Sequence, residues 1–398
     1  MNSNDNDEIT KFVIQSYLHI LERDPDPTGL SHYVDQIINN KISKEEFHSI
    51  LFNSVEYSEL KNKKTLVEKI NKNLGDILLN NDTNLNLKNN ISSEPSSIIV
   101  SCHDRSTGAG GLFFLNDNKL EKIYDEKGCF GIFYDKTRKI VFSVTEGQSQ
   151  IIAFKLKSNN EYSSIKINFL NYIFSEAPHS IFIFNDKLYV VATDGETDSK
   201  KSTNTLGSHK KIGKIIVSDI DFQTDSIVIK NSKSFNPFSC SHHHHYNDIC
   251  EYGGNLYLSS FSYCDSKKKY FEDGVISKLN PDNCNAEVLL TKLDQPHSPF
   301  FFDGRCYVCS SGIASILSFD LIKKSLKLEY KGIDAYTRGL LVTSSFFYLG
   351  VSYSLGRTNS KYANPTFGIL RFNRLTGETR HIDIPKYCDN VYSIIGIN

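Results

Sequence analysis

Residues 7 to about 60 have the hydrophobic period of α-helices. In residues 9–21 the apolar side chains recur every three or four positions, which places them on one helical face. Asp26 can cap a second helix that has Pro27 in its first turn, because an N-cap carboxylate accepts backbone N–H groups and proline has none to satisfy. Ser43 and Glu46 have the spacing of a capping box, which predicts a third helix, and a short further helix is expected from Ser54. These signals predict a small all-α domain over residues 1–62.

The helical period ends before residue 97. Residues 63–96 combine one more candidate helix, at 64–78, with a polar, asparagine-rich stretch that is typical of a linker. From Ser97 onward, short apolar or alternating runs follow one another between N-D, D-G, G-G and T-G turns. Residues 97–398 are therefore predicted to be all β.

The β region repeats itself. Segments 178–194, 246–262, 296–312 and 337–353 each have a polar opening, an apolar strand, a short turn and a strand containing an aromatic residue. A fifth copy covers 128–146, and the chain ends within a sixth. The equivalent positions are Gly131, His179, Asn247, His297, Arg338 and Tyr392, and they are 41 to 68 residues apart. This spacing is close to the length of a four-stranded propeller blade.

The two ends of the β region complete each other. The last copy has only one strand, while the region before the first copy has three strands and no inner partner. Joining them would close the ring and remove its open edges. We therefore expect an all-β six-bladed β-propeller, with seven blades as the alternative, preceded by the small all-α domain.

Composition excludes several classes of protein. The 45 Lys and Arg residues balance 46 Asp and Glu residues, so no strong field favours nucleic acid. No apolar run is long enough to span a membrane, and the start of the chain lacks the pattern of a secretory signal. The odd count of nine cysteines, without framework spacing, is typical of reduced thiols and predicts a cytoplasmic protein.

Polar residues open the innermost strands of the repeats. In a propeller these strands line the central channel, so their openings should converge at one mouth. The sequence places a histidine or an arginine at matching positions in several repeats. The predicted catalytic residues are His179, His245 and His297. The predicted ligand-binding residues are Arg338, Asn247, Asp248, Tyr336 and Ser298.

Our leading hypothesis is a pocket for a small anionic or carbohydrate ligand. Arg338 would bind a carboxylate, phosphate or sulfate through paired N–H donors. His179 or His297 would act as general acid or base, because imidazole titrates near working pH. This chemistry suits a lyase or a transferase.

Two other functions remain open. His179, His245 and His297 could ligate Zn²⁺ or Fe²⁺, supported by Asp248 or Glu176, although Arg338 would repel a dication unless an anionic substrate lay between them. Alternatively, the polar openings only satisfy backbone groups, and the propeller is a non-catalytic scaffold for a protein or glycan. Within the run His242–His245, alternate residues share a face, so His245 with His243 is favoured to face the channel.

The helical region resembles a small bacterial domain of unknown function related to phycobilisome linker repeats. The matching positions are Tyr17, Leu21, Arg23, Pro25, Asp26, Gly29, Leu30, Tyr33, Ser54, Glu56 and Tyr57. Tyr33 stands where the pattern more often has tryptophan. The resemblance implies a docking module with a protein partner, while Arg23 and Asp26 are also explained by fixing a turn.

The β region resembles an uncharacterised bacterial β-propeller family with H-S-P and R-G-L motifs. The motif residues are His297, Ser298, Pro299, Asp303, Gly304, Tyr307, Ser311, Gly312, Arg338, Gly339, Leu340, Gly350 and Ser352. Ser393 departs from an acidic position of the pattern. The resemblance implies the fold and the position of the site, and its setting in surface-glycan biosynthesis favours a sugar-containing ligand.

Overall fold

The chain forms two compact units, Met1–Asn73 and Leu74–Asn398. The computed structural model describes residues 3–21, 23–58, 61, 94–104, 106–116, 118–145, 151–157, 161–173, 178–192, 213–238, 245–261, 273–323, 325–331, 335–352 and 367–397. The helix expected at 64–78 and most of the expected linker lie outside the described residues. The boundaries drawn from the sequence at residues 62 and 96 therefore stay predictions.

The described part of the first unit contains three longer helices, and the second and third have the expected caps. They are α1 (Ser3–Ile20), α2 (Pro27–Ile38) and α3 (Lys44–Phe52). The Asp26 carboxylate accepts the Gly29 N–H at 2.8 Å, and Ser43 and Glu46 form the reciprocal bonds of a capping box at 3.1 and 2.7 Å. After α3, residues 55–58 are helical, and the Ser54 hydroxyl accepts the Tyr57 N–H at 3.1 Å.

Several of the residues that match the pattern of the bacterial helical domain contact one another. Arg23 donates two hydrogen bonds to the Glu56 carboxylate, at 2.5 and 2.9 Å, and its guanidinium lies 5.2 Å from the centre of the Tyr17 ring. A Cβ at Gly29 would meet an Asp26 carboxylate oxygen at 2.9 Å. These contacts explain the motif by the packing of the helical unit.

The described part of the second unit consists of strands grouped into sheets, in which most neighbours pair antiparallel. The first two sets are β1 (Ser97–His103), β2 (Gly110–Asn116) and β3 (Lys119–Tyr124), then β4 (Cys129–Asp135), β5 (Ile140–Thr145), β6 (Ile151–Leu156) and β7 (Tyr162–Leu170). The next two are β8 (Pro178–Phe184), β9 (Lys187–Ala192), β10 (Lys214–Phe222) and β11 (Ser226–Phe235), then β12 (His245–Tyr252), β13 (Asn255–Phe261), β14 (Gly274–Leu279) and β15 (Ala286–Leu293). The last are β16 (Pro296–Phe302), β17 (Arg305–Ser310), β18 (Ser315–Asp320) and β19 (Ser325–Lys331), then β20 (Tyr336–Val342), β21 (Phe346–Ser352), β22 (Gly368–Asn373), β23 (Thr379–Asp383) and β24 (Asn390–Ile397).

These strands form a β-propeller-like arrangement. In the described part of the chain, four sheets have four strands and one has eight. The strands β24, β4, β8, β12, β16 and β20 each contact the next in this order, and β20 contacts β24 again. They form the inner ring, and apolar side chains fill the spaces between successive sheets.

The ring closes through the two ends of the β region. Strand β24 pairs antiparallel with β1, from Ser97 opposite Ile397 to His103 opposite Asn390. The sheet order β24-β1-β2-β3 therefore joins the last strand of the chain to the first three strands of the β region. This pairing gives β1 its inner neighbour, and β24 becomes the innermost strand of its sheet.

One sheet differs from the others in its outer strands. Strands β7 and β11 pair in parallel, from Lys166 opposite Ser226 to Leu170 opposite Lys230. This pairing merges two four-stranded sets into the eight-stranded sheet β4-β5-β6-β7-β11-β10-β9-β8. The repeat pattern does not predict it, because edge-to-edge pairing depends on where two long outer strands meet in space.

Candidate functional site

A β-bulge interrupts each inner strand close to its start. The register shifts lie between Cys129 and Ile132, Pro178 and Ser180, Tyr246 and Ile249, His297 and Phe300, Arg338 and Leu340, and around Tyr392 in β24. They fall at or beside the six positions that the repeat makes equivalent. A bulge adds one residue to a strand and redirects the neighbouring side chains, so the repeat delivers a side chain from each inner strand to the same level.

The redirected side chains meet in one group, which we call the central cluster. Its members are Tyr392, Phe130, His179, His245, Phe261, His297, Tyr336 and Arg338. Neighbouring ring centres are 4.7 to 6.1 Å apart from Tyr392 round to Tyr336, and Arg338 lies between Tyr336 and Tyr392. The structure therefore brings together all three histidines that the sequence proposes as catalytic, together with Arg338 and Tyr336.

Arg338 is an enclosed cation that makes no direct ion pair in the described part of the chain, and the acidic group on which its charge acts is Asp248. Its side chain is 1% exposed, and its guanidinium carbon lies 4.8 Å from the Tyr336 ring centre and 4.5 Å from that of Tyr392. None of its three nitrogens reaches a described acceptor in good hydrogen-bonding geometry, although, against the effect of burial, the neighbouring Tyr392 and Tyr336 side chains favour its charged form and raise the pKa of Arg338. The two rings offset part of the cost of burial by cation–π attraction. A guanidinium is always charged and presents five N–H donors, so the group remains available to an anion.

His297 is held in one tautomer. Its Nδ1 lies 2.9 Å from the Gln295 carbonyl oxygen and 2.7 Å from the Ser311 hydroxyl. The Ser311 hydroxyl donates its own proton to the Thr337 carbonyl oxygen at 2.5 Å, so it can only accept from His297. Nδ1 therefore carries the proton, and Nε2 presents a lone pair that has no hydrogen-bond partner among the described residues.

The surroundings keep His297 neutral. Burial lowers the pKa of His297 well below its usual range, and the nearby Arg338, His245 and His179 lower it further. The side chain is 2% exposed. At neutral pH the imidazole therefore accepts a hydrogen bond or a proton at Nε2 rather than donating one.

Asp248 has a carboxyl group of unusual pKa close to Ser298, within reach of the Arg338 charge. It is partly buried, and its Oδ2 accepts the Ser298 N–H at 2.7 Å. Burial raises the pKa of Asp248 to about 6, although the Ser298 N–H and the Arg338 charge act in the opposite direction. This carboxyl can change its charge close to neutral pH, which is a property of residues at functional sites.

The remaining predicted ligand-binding residues hold the inner strands together. The Asn247 amide donates to the Pro296 carbonyl oxygen at 2.9 Å, and the Ser298 hydroxyl accepts the Gly339 N–H at 2.9 Å. Ser298 has a left-handed backbone with φ of 50°, which is unfavourable for a residue with a side chain and fits a bulge beside a site. The contacts assign Asn247 and Ser298 a structural role, and their ligand-binding role stays a prediction.

The described residues do not assemble a metal centre. Within the described ranges, no group of three or more His, Cys, Asp and Glu side chains is placed to hold a metal ion. Phe261 contacts both His245 and His297, at 4.7 and 5.1 Å between ring centres. Glu176 and His242–His244 lie outside the described residues. A role for His179, His245 and His297 as ligands of Zn²⁺ or Fe²⁺ therefore stays a prediction.

The pattern of the inner strands does not predict Phe261, a member of the central cluster, or His103, which lies beside the cluster. His103 is 4% exposed and lies 4.8 Å from the Phe130 ring and 6.0 Å from the Tyr392 ring. Phe261 faces His245 across the β12–β13 pair. Both residues end the second strand of their sheet, whereas the predicted site residues lie on inner strands. Comparing the ends of the second strands across the repeats would have found them.

The Asp248 carboxyl predicts an unusual dependence of stability on pH. Because its pKa is raised in the folded state, unfolding releases its proton between about pH 4 and about pH 6, and the free energy of unfolding falls as pH rises through this window. Asp248→Asn should therefore be more stable than the wild type above pH 6, by about 1 kcal/mol after allowance for partial exposure, and should match it near pH 4. Urea unfolding at several pH values measures this difference.

Asp320 provides the matched control. Hydrogen bonds from the Lys323 and Ile322 N–H groups and the Arg305 charge lower its pKa, so its ionised form stabilises the fold. Asp320→Asn should be less stable than the wild type at pH 7 and should approach it as pH falls below the usual aspartate range. If both variants lose stability at pH 7, the Asp248 carboxylate stabilises the fold and the expected sign is wrong.

No helix within the described ranges is long and apolar enough to cross a membrane. The described cysteines are all unpaired, and they include both members of the C-x-x-C sequence, Cys306 and Cys309.

Among the comparisons with known proteins, one family model matches the helical region. A family model described as a domain of unknown function, DUF4214, matches residues 2–61. This match supports the resemblance to a domain of unknown function, while the relation to phycobilisome linkers stays a prediction. No curated protein matches the chain in sequence.

Several solved structures resemble the chain at low similarity. A chain of a nidogen/laminin complex is 12% identical, with a TM-score of 0.48 over 75% of this chain and 97% of that one. A protein of unknown function from Bacteroides caccae is 10% identical, with a TM-score of 0.46 over 76% and 99%. Regucalcin from Agrobacterium tumefaciens, a calcium-binding protein, is 11% identical, with a TM-score of 0.40 over 65% and 74%. A similarity of this degree assigns neither a ligand nor an activity to this chain.

Proposed function

We propose that the propeller binds a small anionic ligand at the central cluster, with Arg338 as the residue that holds the negative charge. The observation that carries this proposal is the enclosed Arg338 guanidinium, which makes no direct ion pair with a described carboxylate. Leaving a charge enclosed and unpaired is costly. A bound carboxylate, phosphate or sulfate would supply the missing acceptor, and a guanidinium can bind such a group through two parallel hydrogen bonds.

The neighbouring groups support a role in proton transfer once the anion is bound. His297 is neutral with a bare Nε2, and the pKa of Asp248 is raised to about 6. Two titratable groups whose pKa values are shifted in opposite directions are typical of acid–base chemistry. We infer from them a lyase or transferase acting on a small acid, with a sugar acid as the preferred class because aromatic rings surround the site.

Binding measurements test the anion site directly. Isothermal titration with phosphate, sulfate and glucuronate, and with neutral glucose for comparison, should show binding of at least one anion and not of glucose. Arg338→Gln should weaken that binding by about 30-fold or more, since the lost contact is a charge-assisted hydrogen bond in an enclosed site.

A matched arginine controls for changes in overall charge. Arg371 lies on β22 with its guanidinium 3.9 Å from the Phe346 ring centre, outside the central cluster. Arg371→Gln removes the same charge and should leave anion binding unchanged. Equal weakening in both variants would assign the effect to net charge, and unaltered binding in Arg338→Gln would reject Arg338 as the anion-holding residue.

We further infer that the ring has six blades. The inner ring consists of β24, β4, β8, β12, β16 and β20, and the eight-stranded sheet reads as two four-stranded blades joined along β7 and β11. This count matches one inner strand for each copy of the sequence repeat. In this arrangement each blade contributes one bulge to the level of the site.

A further inference from the structure

His297 and Arg338 lie against the same ring. The His297 ring centre is 5.3 Å from that of Tyr336, and the Arg338 guanidinium carbon is 4.8 Å from it. The residues that follow them are bonded to each other, because the Gly339 N–H donates to the Ser298 hydroxyl at 2.9 Å. Adjacent strands β16 and β20 therefore hold the two side chains as neighbours.

These neighbours offer opposite hydrogen-bonding groups. With its proton directed to Gln295 and Ser311, His297 can only accept at Nε2. Arg338 can only donate. Both are nearly inaccessible to solvent, at 2% and 1% exposure, and neither Nε2 nor any Arg338 nitrogen reaches a hydrogen-bond partner in good geometry among the described residues. The two groups therefore do not satisfy each other.

We infer that this pair selects a hydroxy acid, in which the charged group binds Arg338 and a neighbouring hydroxyl donates to His297 Nε2. The inference rests on the proposed anion site and adds a hydroxyl beside the charged group as a requirement for its ligand. An anion without the hydroxyl would leave Nε2 buried and unpaired. A site built around a hydroxyl discriminates strongly against the analogue that lacks it.

Ser311 is a positioning residue in this scheme. Its hydroxyl donates to the Thr337 carbonyl oxygen and accepts from His297 Nδ1, so it keeps the proton away from Nε2. The Gln295 carbonyl oxygen acts in the same direction. Two acceptors at Nδ1 explain why the lone pair, rather than an N–H group, faces the ligand beside a cation.

Pairs of ligands that differ by one hydroxyl test the inference. The pairs are glycolate with acetate, lactate with propionate, mandelate with phenylacetate, and glycerol 3-phosphate with propyl phosphate. Titration of the wild type should show that the hydroxylated member of at least one pair binds about 10-fold tighter or more. His297→Phe should reduce this ratio to near one while the anion without the hydroxyl still binds. His381→Phe, at a histidine on β23 that pairs with Asp383, should keep the wild-type ratio.

The outcomes separate the two proposals. Equal affinities within every pair, or an unchanged ratio in His297→Phe, would overturn the hydroxy-acid inference and leave the anion site standing. Absence of binding by every anion would overturn both.

A spectroscopic measurement covers the case in which His297→Phe does not fold. Nitrogen NMR of histidine-labelled wild type should show His297 protonated at Nδ1 and bare at Nε2 from about pH 6 to about pH 8. The Nε2 signal should move towards its hydrogen-bonded position with the hydroxylated ligand and stay in place with its partner. A proton on Nε2 in the free protein would also overturn the inference.

Discussion

Replacing Arg338 with methionine is expected to stabilise the ligand-free propeller and to abolish anion binding. The methionine side chain is unbranched and flexible, somewhat shorter than arginine, and it keeps an apolar stem beside the rings of Tyr336 and Tyr392 while the enclosed charge disappears. Replacing buried charged groups by well-packed apolar side chains of similar volume is often neutral or stabilising, by up to about 4 kcal/mol, and the absence of a direct ion pair at Arg338 favours the stabilising outcome. Thermal unfolding should therefore show a midpoint several degrees higher, and the same sample should no longer bind the anion of the wild type.

Arg374 provides the control for this prediction, because it is surrounded by similar rings but its guanidinium has hydrogen-bond acceptors. Its guanidinium also lies near aromatic rings, at 5.3, 5.6 and 5.0 Å from Phe302, Tyr307 and Phe347. However, it donates to the Thr343 carbonyl oxygen at 2.5 Å and to the Tyr307 hydroxyl at 3.0 Å. Arg374→Met should therefore destabilise the protein by about 1 to 3 kcal/mol, because these acceptors lose their donor.

Comparing the stabilities of the two variants tests whether the Arg338 charge lacks a partner in the ligand-free protein. A gain for Arg338→Met and a loss for Arg374→Met would support an arginine kept for binding at the expense of stability. If Arg338→Met destabilises the protein as much as Arg374→Met does, the Arg338 charge is already satisfied in the ligand-free protein. The proposed anion site would then lose the observation that carries it.

Deleting residues 390–398 is expected to prevent the propeller from folding. The deletion removes β24, whose Val391, Ile394, Tyr392 and Ile397 are at most 8% exposed. Burial of such side chains contributes about 1.5 to 3 kcal/mol each, so the loss approaches the whole stability of a typical protein. It also leaves β1 with unpaired backbone groups, which favours aggregation. Circular dichroism and size-exclusion chromatography of the truncated chain measure both effects.

A transplanted strand provides the control. Ile397 pairs with Ser97 at the end of the antiparallel β24–β1 ladder. Residues 390–397 followed by a short turn can therefore be placed directly before β1 in the sequence, where they would form the same pairing with β1. This rearranged chain has the same strand and lacks only its original connection to β23. We expect it to recover the folded state. Folding of the truncated chain without the strand would show that the closure contributes little.

The sequence predicts much of the fold because local signals carry it. The helix caps at Asp26 and Ser43 form as expected, since capping depends on residues three positions apart. The repeats correspond to paired strands, such as β8 with β9 and β16 with β17, because alternation and turns recur in each copy. The parallel pairing of β7 with β11 has no local signal, and the repeat could not reveal it.

The site was predictable only in part for a similar reason. Aligned repeats identify which inner-strand residues share a level, and His179, His245, His297 and Arg338 do meet there. Which atoms are free to act depends on contacts between strands. The Ser298 N–H donates to the Asp248 carboxylate, and the Ser298 hydroxyl accepts the Gly339 N–H. These partners lie in neighbouring repeats, so the pattern within one repeat does not predict the two hydrogen bonds.

By itself the sequence determined the helical domain, the repeating strands and the level at which polar side chains converge, because these follow from periodicity and spacing along the chain. Only the tertiary structure decided which of these polar side chains are charged, buried or free to bind a ligand. It placed Arg338 between two tyrosines and out of solvent, directed the His297 proton towards Gln295 and Ser311, and enclosed the Asp248 carboxyl enough to raise its pKa to about 6. Burial, tautomer and charge depend on neighbours contributed by different strands, so they emerge only when the ring is closed.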